Sequence, residues 1–291
     1  MNRRNFIQKS GTGGLALLSA NTVAQNLNLN PEELKTLELK NNINHSVCHW
    51  CFGNIQLEDF LKIIKNMGIN AIDLVGPENF DLLKKYDIHC SMCQGAEISL
   101  VEGFNDPKNH AQLIENYSRV IPQVAAAGFT NLICFSGNRN GMNDYVGIEN
   151  CVKGLSEIMP LAEEHGVVLQ MELFNQQNHP DYMCDSSIWG VELCRRLGSD
   201  NFKLLFDIYH MQIQEGDIIN SIRKYHEYFG HYHTAGVPGR NEIGEDQELY
   251  YPAIMKEILK TGYQGHVAQE FIPLGEDPIA SLQTAFTICD V

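Results

Sequence analysis

Four polar groups stand where apolar runs of the chain end, and together they form a donor set suited to a hard divalent cation. Glu172 closes the run from Val167 to Met171, and Asp207 closes Leu204-Leu205-Phe206. His231 and His233 flank Tyr232 in another run, and Glu270 follows Val267-Ala268-Gln269. A carboxylate at the end of an apolar segment costs free energy unless it is paired, hydrogen-bonded or ligating. Any one of them alone reads more simply as a helix cap or loop anchor. Four at matching depth do not, and three carboxylates drawn together repel one another without a cation. Three oxygens and one imidazole suit Mn2+, Mg2+ or Co2+ better than a structural zinc, which prefers thiolates or several imidazoles. The expectation is therefore one divalent metal ion on Glu172, Asp207, His233 and Glu270.

Other residues lie close by in sequence. His210 follows Asp207 by three, on the expected loop leaving that run, where it could reach a substrate. Arg240 projects from Gly236-Val237-Pro238-Gly239, a turn shaped by Pro and Gly. In so acidic a chain it reads as a bidentate clamp for a carboxylate or phosphate, the alternative being a surface salt bridge. His231 shares a strand face with His233, since the two are two residues apart. It lies deeper and reads as structural.

These residues need elements to bring them together. Apolar runs bounded by turn residues predict strands at 44–49, 71–75, 88–93, 131–135, 167–172, 203–207, 230–234 and 267–271. Between them, Leu57, Phe60, Leu61 and Ile64 keep the spacing of a helical face. Segments 108–127, 146–165, 186–197, 216–228, 252–260 and 278–288 read similarly, and 31–40 reads as a short polar helix before the first strand. Gly68, Gly128, Gly166 and Gly262 end helices as left-handed caps do. A βα unit counted eight times over roughly 250 residues predicts a (β/α)8 TIM barrel, α/β in class, whose function sits at the C-terminal ends of the strands. A doubly wound open sheet is the alternative, but no glycine-rich phosphate turn follows the first strand.

Composition narrows the partners. The 291 residues carry 36 acids against 21 Lys and Arg, a formal charge of −15. Residues 1–24 hold Arg3, Arg4 and Lys9 and no acid, which leaves the remainder at −18. Such a field repels phosphate backbones and anionic membranes, so nucleic acid is not expected as a partner. The paired arginines in Arg3-Arg4-Asn5-Phe6-Ile7-Gln8-Lys9, with the weakly apolar residues 11–24 behind them, resemble a twin-arginine export leader. That stretch is too short to span a bilayer stably. The expected organisation is a leader over 1–24 and a single catalytic barrel over 25–291. The location is then periplasmic, or cytoplasmic if the leader is not used. Nine cysteines include Cys48-His49-Trp50-Cys51 and Cys90-Ser91-Met92-Cys93. Both pairs fall at strands, where residues three apart face opposite ways, so buried thiols in the wall are expected rather than a zinc site. A Cys48–Cys90 disulfide stays open as an alternative.

The run His231-Tyr232-His233-Thr234-Ala235-Gly236-Val237-Pro238-Gly239-Arg240 resembles the hydroxypyruvate isomerase branch of the xylose isomerase-like TIM-barrel superfamily. So do Met171-Glu172-Leu173-Phe174-Asn175, Phe206-Asp207-Ile208-Tyr209-His210 and Gly262-Tyr263-Gln264-Gly265. The resemblance implies Glu172, Asp207, His233 and Glu270 as metal ligands, Glu172 and Glu270 as the catalytic acid–base pair, and His210 and Arg240 as substrate contacts. The chain departs from that pattern in places. Hydroxypyruvate isomerases commonly carry Gln where this chain has His233, and cytoplasmic ones lack a leader. Ketose epimerases place a substrate-binding Glu where this chain has Asn178.

The expected function is divalent-metal-dependent isomerisation or epimerisation of a small hydroxy-carbonyl or sugar substrate. Carboxylates would move a proton beside the carbonyl through a metal-stabilised enediolate. A hydroxy-keto acid would present its carboxylate to Arg240, and Trp50 and Phe52 would form an apolar wall, simple core packing being the equal alternative. A dehydratase or lyase of a sugar or cyclitol ketone would share every ligand. A non-catalytic periplasmic sugar-binding protein would not need two acids flanking an open metal position. A homo-oligomer stays open.

Overall fold

Eight short, almost wholly buried segments form parallel strands, because helices cover their outer faces and leave neither face to solvent. The computed structural model describes residues 36–291. Its strands are β1 (Asn44–Val47), β2 (Ala71–Val75), β3 (His89–Cys93), β4 (Asn131–Cys134), β5 (Val168–Glu172), β6 (Phe202–Asp207), β7 (Phe229–Thr234) and β8 (His266–Gln269). All neighbours are parallel, in the order β1-β8-β7-β6-β5-β4-β3-β2. A parallel bridge from Cys48 to Asp73 joins the two ends, closing the expected (β/α)8 barrel.

Around it lie α1 (Leu57–Asn66), α2 (Phe80–Lys85), α3 (His110–Ala126), α4 (Asp144–Ser156), α5 (Met159–His165), α6 (Ser187–Leu197), α7 (Ile208–Gln214), α8 (Ile218–Tyr225), α9 (Tyr251–Lys260) and α10 (Pro278–Cys289). The expected helix over 146–165 is two, α4 and α5. Pro160 sits in the first turn of α5, where its missing N–H is tolerated; inside one long helix it would remove a backbone bond. Helix α2 was not anticipated. Nor was α7, which replaces the loop expected after β6. Residues 36–40 are not helical, while the rest of the helix expected over 31–40 lies outside the described residues, as does the leader over 1–24.

All nine cysteines are free and buried, so the Cys48–Cys90 disulfide is not formed. No helix among the described residues is long and apolar enough to cross a membrane.

Candidate active site

The register of β6 and β7 sets Asp207 directly beside His233, and β5 ends on Glu172, which pairs with Leu205 two residues before Asp207. Glu270 is the first residue past β8, its backbone N–H bonded to Thr234 O at 2.9 Å. Ligand atoms of Glu172, Asp207, His233 and Glu270 all lie within 4.8 Å of one another, and all four side chains are buried. The structure thus brings together all four residues that the sequence singles out.

Asp207 has two roles at once. Its Oδ1 accepts the His210 N–H at 3.1 Å and caps α7, while Oδ2 lies 3.0 Å from Arg240 Nη2. His210 is therefore a first-turn helical residue, not a loop histidine. Its Nε2 is 2.6 Å from Arg240 Nη1, and its Nδ1 is 2.7 Å from the Asn175 amide. Burial, with the Arg240 charge, lowers His210 well below the usual imidazole range, so it is neutral.

Arg240 is neither exposed nor free. It is held at φ +60, beyond Gly239 at φ +95, a left-handed conformation that costs a side-chain-bearing residue ~1–2 kcal/mol. Its guanidinium pairs with Asp207 and Glu270 and lies 5.1 Å from the centre of the Tyr209 ring and 5.6 Å from that of Trp50. The cation that relieves the carboxylates in this structure is thus the residue expected to clamp an anion. The surface-salt-bridge alternative is excluded by its burial.

Two contacts lack hydrogen-bond geometry. His233 Nδ1 lies 2.6 Å from Glu270 Oε2 and 3.5 Å from Glu172 Oε1, yet Nδ1 and Glu172 Oε1 have no hydrogen-bond partner. The distances are those of ion pairs, but neither contact has hydrogen-bond geometry, which leaves both polar atoms unsatisfied. Orphaned buried polar atoms in a native fold ask for an explanation, and a bound cation supplies one. The donor set of three carboxylates and one imidazole fits such an ion.

The carboxyl groups differ. Burial pushes Glu172 up to about 7, with Glu270 adding to the rise and His233 opposing it. Burial also acts on Glu270, but Arg240 and His233 outweigh it and hold that carboxyl well below its usual range. Burial raises Asp207 against the pull of Arg240. For His233, burial disfavours the charge, yet Glu270 and other neighbours carry it well above its usual range.

A cavity of about 670 Å3 opens over the cluster. Leu74, Ile98, Ile133, Phe135, Phe174 and Ile272 form its apolar wall, with Gln94, Glu97, Asn178, His179 and Tyr209 as polar lining. Trp50 joins this wall and also donates from Nε1 to Glu270 Oε1 at 2.8 Å, whereas Phe52 is core packing against Phe60 and Phe271. Asn178 accepts from Tyr209 Oη at 2.9 Å.

Sequence reasoning missed Asp73, Ser46 and Ser91, which lie below the cluster; Asp73 bonds to both serines and to both histidines of β7. The signal was present: an aspartate between Ile72 and Leu74 in the middle of an apolar strand.

A family model described as xylose isomerase-like TIM barrel matches residues 78–284. A human protein provisionally named a hydroxypyruvate isomerase is 32% identical over 116 residues, 40% of this chain and 42% of that protein. The 2-oxo-tetronate isomerase of Cupriavidus necator is 34% identical over 114 residues, 38% of this chain and 43% of that enzyme. The matched segment thus spans about two fifths of the length of these relatives. A crystal structure of D-psicose 3-epimerase with D-tagatose from Clostridium cellulolyticum aligns at a TM-score of 0.71 and 16% identity, over 86% of this chain and 100% of that one, a likeness of fold.

Proposed function

The chain belongs to the xylose isomerase-like TIM-barrel family, and we propose that it is a divalent-metal-dependent isomerase or epimerase of a small neutral keto sugar. The observation that carries this reading is the buried convergence of Glu172, Asp207, His233 and Glu270 under an open, mostly apolar-walled cavity. The isomerase names of the relatives support the reaction class. Glu172, Asp207, His233 and Glu270 would hold Mn2+, Mg2+ or Co2+, which when bound supplies Lewis-acid polarisation of a substrate carbonyl.

The chain's own residues do the rest. Glu172 and Glu270 come from β5 and the end of β8 and flank His233. Glu172 lines the cavity and keeps an oxygen free of hydrogen bonds, which suits taking and returning a substrate proton. Glu270, held as a carboxylate by Arg240 and Trp50, serves the second carbon or face. His210 and Arg240 hold substrate hydroxyl and carbonyl oxygens. Among the described residues Arg240 is the single cationic side chain lining the cavity, and it is paired with Asp207 and Glu270. Even with a divalent ion bound, the carboxyl groups of Glu97, Glu172, Asp207 and Glu270 outnumber the positive charges, which disfavours an acid, and three carbons would leave most of a 670 Å3 cavity unfilled. Both points favour a neutral sugar over hydroxypyruvate.

The test is metal-dependent deuterium incorporation in deuterated water, followed by NMR, on a panel of neutral ketoses and hydroxypyruvate. Label beside the carbonyl, with the labelled carbon choosing between isomerase and epimerase, is the expected result. Loss of water would move the reaction to a lyase, and incorporation into hydroxypyruvate alone would overturn the neutral-sugar reading. We also propose that residues 1–24 act as an export leader before the barrel. Cell fractionation with Arg3 and Arg4 changed to Lys tests this, retention in the cytoplasm being the expected result.

A further inference from the structure

Beneath the four-residue cluster lies a second buried polar layer that the reaction above does not use. Asp73 on β2 is fully enclosed. Its Oδ1 accepts from the hydroxyls of Ser46 on β1 and Ser91 on β3, and these hydroxyls lie 2.5 Å from each other. Its Oδ2 lies 2.5 Å from His231 Nε2 and 3.2 Å from His233 Nε2. A buried carboxylate is tolerable only with such donors, and this one meets four from three strands.

The backbone is bent to place it. The β2–β3 register breaks on both sides of Asp73, and Leu74 is left-handed at φ +59. An L-residue there costs free energy, and the outcome is two consecutive residues used inside the barrel. Asp73 enters the polar layer and Leu74 enters the wall of the cavity.

We propose that Asp73 is the positioning residue of the candidate metal centre: by taking the Nε2–H of His233, it makes Nδ1 the ligand atom that faces Glu172, Asp207 and Glu270. This rests on the reading that the upper cluster holds a divalent ion. The ring geometry supports it, because Nδ1 approaches two carboxylates without hydrogen-bond geometry to either. An imidazole that keeps its proton on Nε2 for a carboxylate offers its lone pair at Nδ1. Ringed by two hydroxyls and two imidazole nitrogens, Asp73 is placed as an acceptor on both of its oxygens. His231 supplies the second contact that fixes Oδ2 in place. A carboxylate behind a ligating histidine typically carries 10–100-fold of the metal affinity.

The experiment is calorimetric titration of the metal-stripped full chain with Mn2+, for wild type and Asp73→Asn. The substitution keeps the shape and removes the charge, and 10–100-fold weaker Mn2+ binding is expected. Nitrogen-15 NMR of histidine-labelled protein loaded with Mg2+ gives a readout that a merely structural role would not move. Wild-type His233 should carry its proton on Nε2, and Asp73→Asn should lose that single tautomer. If Asp73→Asn does not fold, Ser91→Ala, which removes one anchor of Asp73, should weaken Mn2+ a few-fold, and the wild-type tautomer still decides. A proton on Nδ1 of wild-type His233, or a folded Asp73→Asn with unchanged Mn2+ affinity, overturns the proposal. A wild type that binds no divalent ion overturns the metal reading and this proposal with it. Weak binding confined to the variants leaves the metal reading standing and supports the role of Asp73.

Discussion

In the lower polar layer of the barrel one carboxylate, Asp73, meets two hydroxyls and two imidazoles. In the upper layer three carboxylates, Glu172, Asp207 and Glu270, share one imidazole and one guanidinium. Both layers are buried, so both carry the cost of removing charge from water. The lower one offsets it with hydrogen bonds from neighbouring strands. The upper one leaves Glu172 Oε1 and His233 Nδ1 without a partner. His231 Nδ1 is unpartnered in the lower layer too, but there the carboxylate has its donors, which marks a support, whereas carboxylates buried with a deficit of positive charge mark a place for a ligand.

The sharpest way to break this contrast is to remove an upper carboxylate. Glu270→Gln is expected to slow exchange of the substrate's α-proton with solvent deuterium by about 10²–10⁴-fold. Exchange at the wild-type rate would take Glu270 out of proton transfer. Arg240→Ala tests the charge deficit through stability. It strips the cation from Asp207 and Glu270, so the metal-free protein should lose about 3–5 kcal/mol of unfolding free energy. Saturating Mn2+ should restore much of that loss in urea titrations, and a loss indifferent to metal would show that the layer does not need an ion.

A gentler probe leaves the chain unchanged. Mn2+ at a hundred times its dissociation constant should stabilise the wild type by about 2.7 kcal/mol, and a chelator should reverse the gain. Equal melting curves with and without the ion would mean that the upper layer balances itself. The smallest effect lies at the floor of the barrel, where His266 stacks on His89. Burial, aided by the charge of His231, pushes His266 down to about 4. Between its unfolded value of 6.5 and that figure, the unfolded chain binds more protons. Stability should therefore fall as pH drops through this window, by no more than about 2 kcal/mol from this group once its partial exposure is discounted. His266→Gln should flatten that part of the melting-temperature profile, and an unchanged slope would assign the acid sensitivity elsewhere.

Glu172, Asp207, His233 and Glu270 were legible in the sequence because each ends or nearly ends an apolar run. Parallel barrel strands also present such positions at one end, so a local pattern translated directly into a shared location. The strand cores were legible for the same reason, with most boundaries moving by a residue or two. Helix α7 was not, since Ile208-Tyr209-His210-Met211 is too short a run to show a helical period, and its start depends on Asp207 acting as cap. Arg240 was seen, but its pairing was not.

Local composition and periodicity by themselves determined that this chain builds a closed parallel barrel and that four polar side chains stand at its upper rim. Those are properties of segments a few residues long, set by hydrophobic alternation and the cost of burying charge. Only the tertiary structure decided what those side chains meet. Asp73 takes its donors from Ser91 and Ser46, 18 and 27 residues away, and from His231 and His233, 158 and 160 residues away. Arg240 reaches Asp207 across 33 residues and Glu270 across 30. Such pairings depend on barrel closure, on a one-residue break in register and on a left-handed backbone, and none of these leaves a period in the sequence.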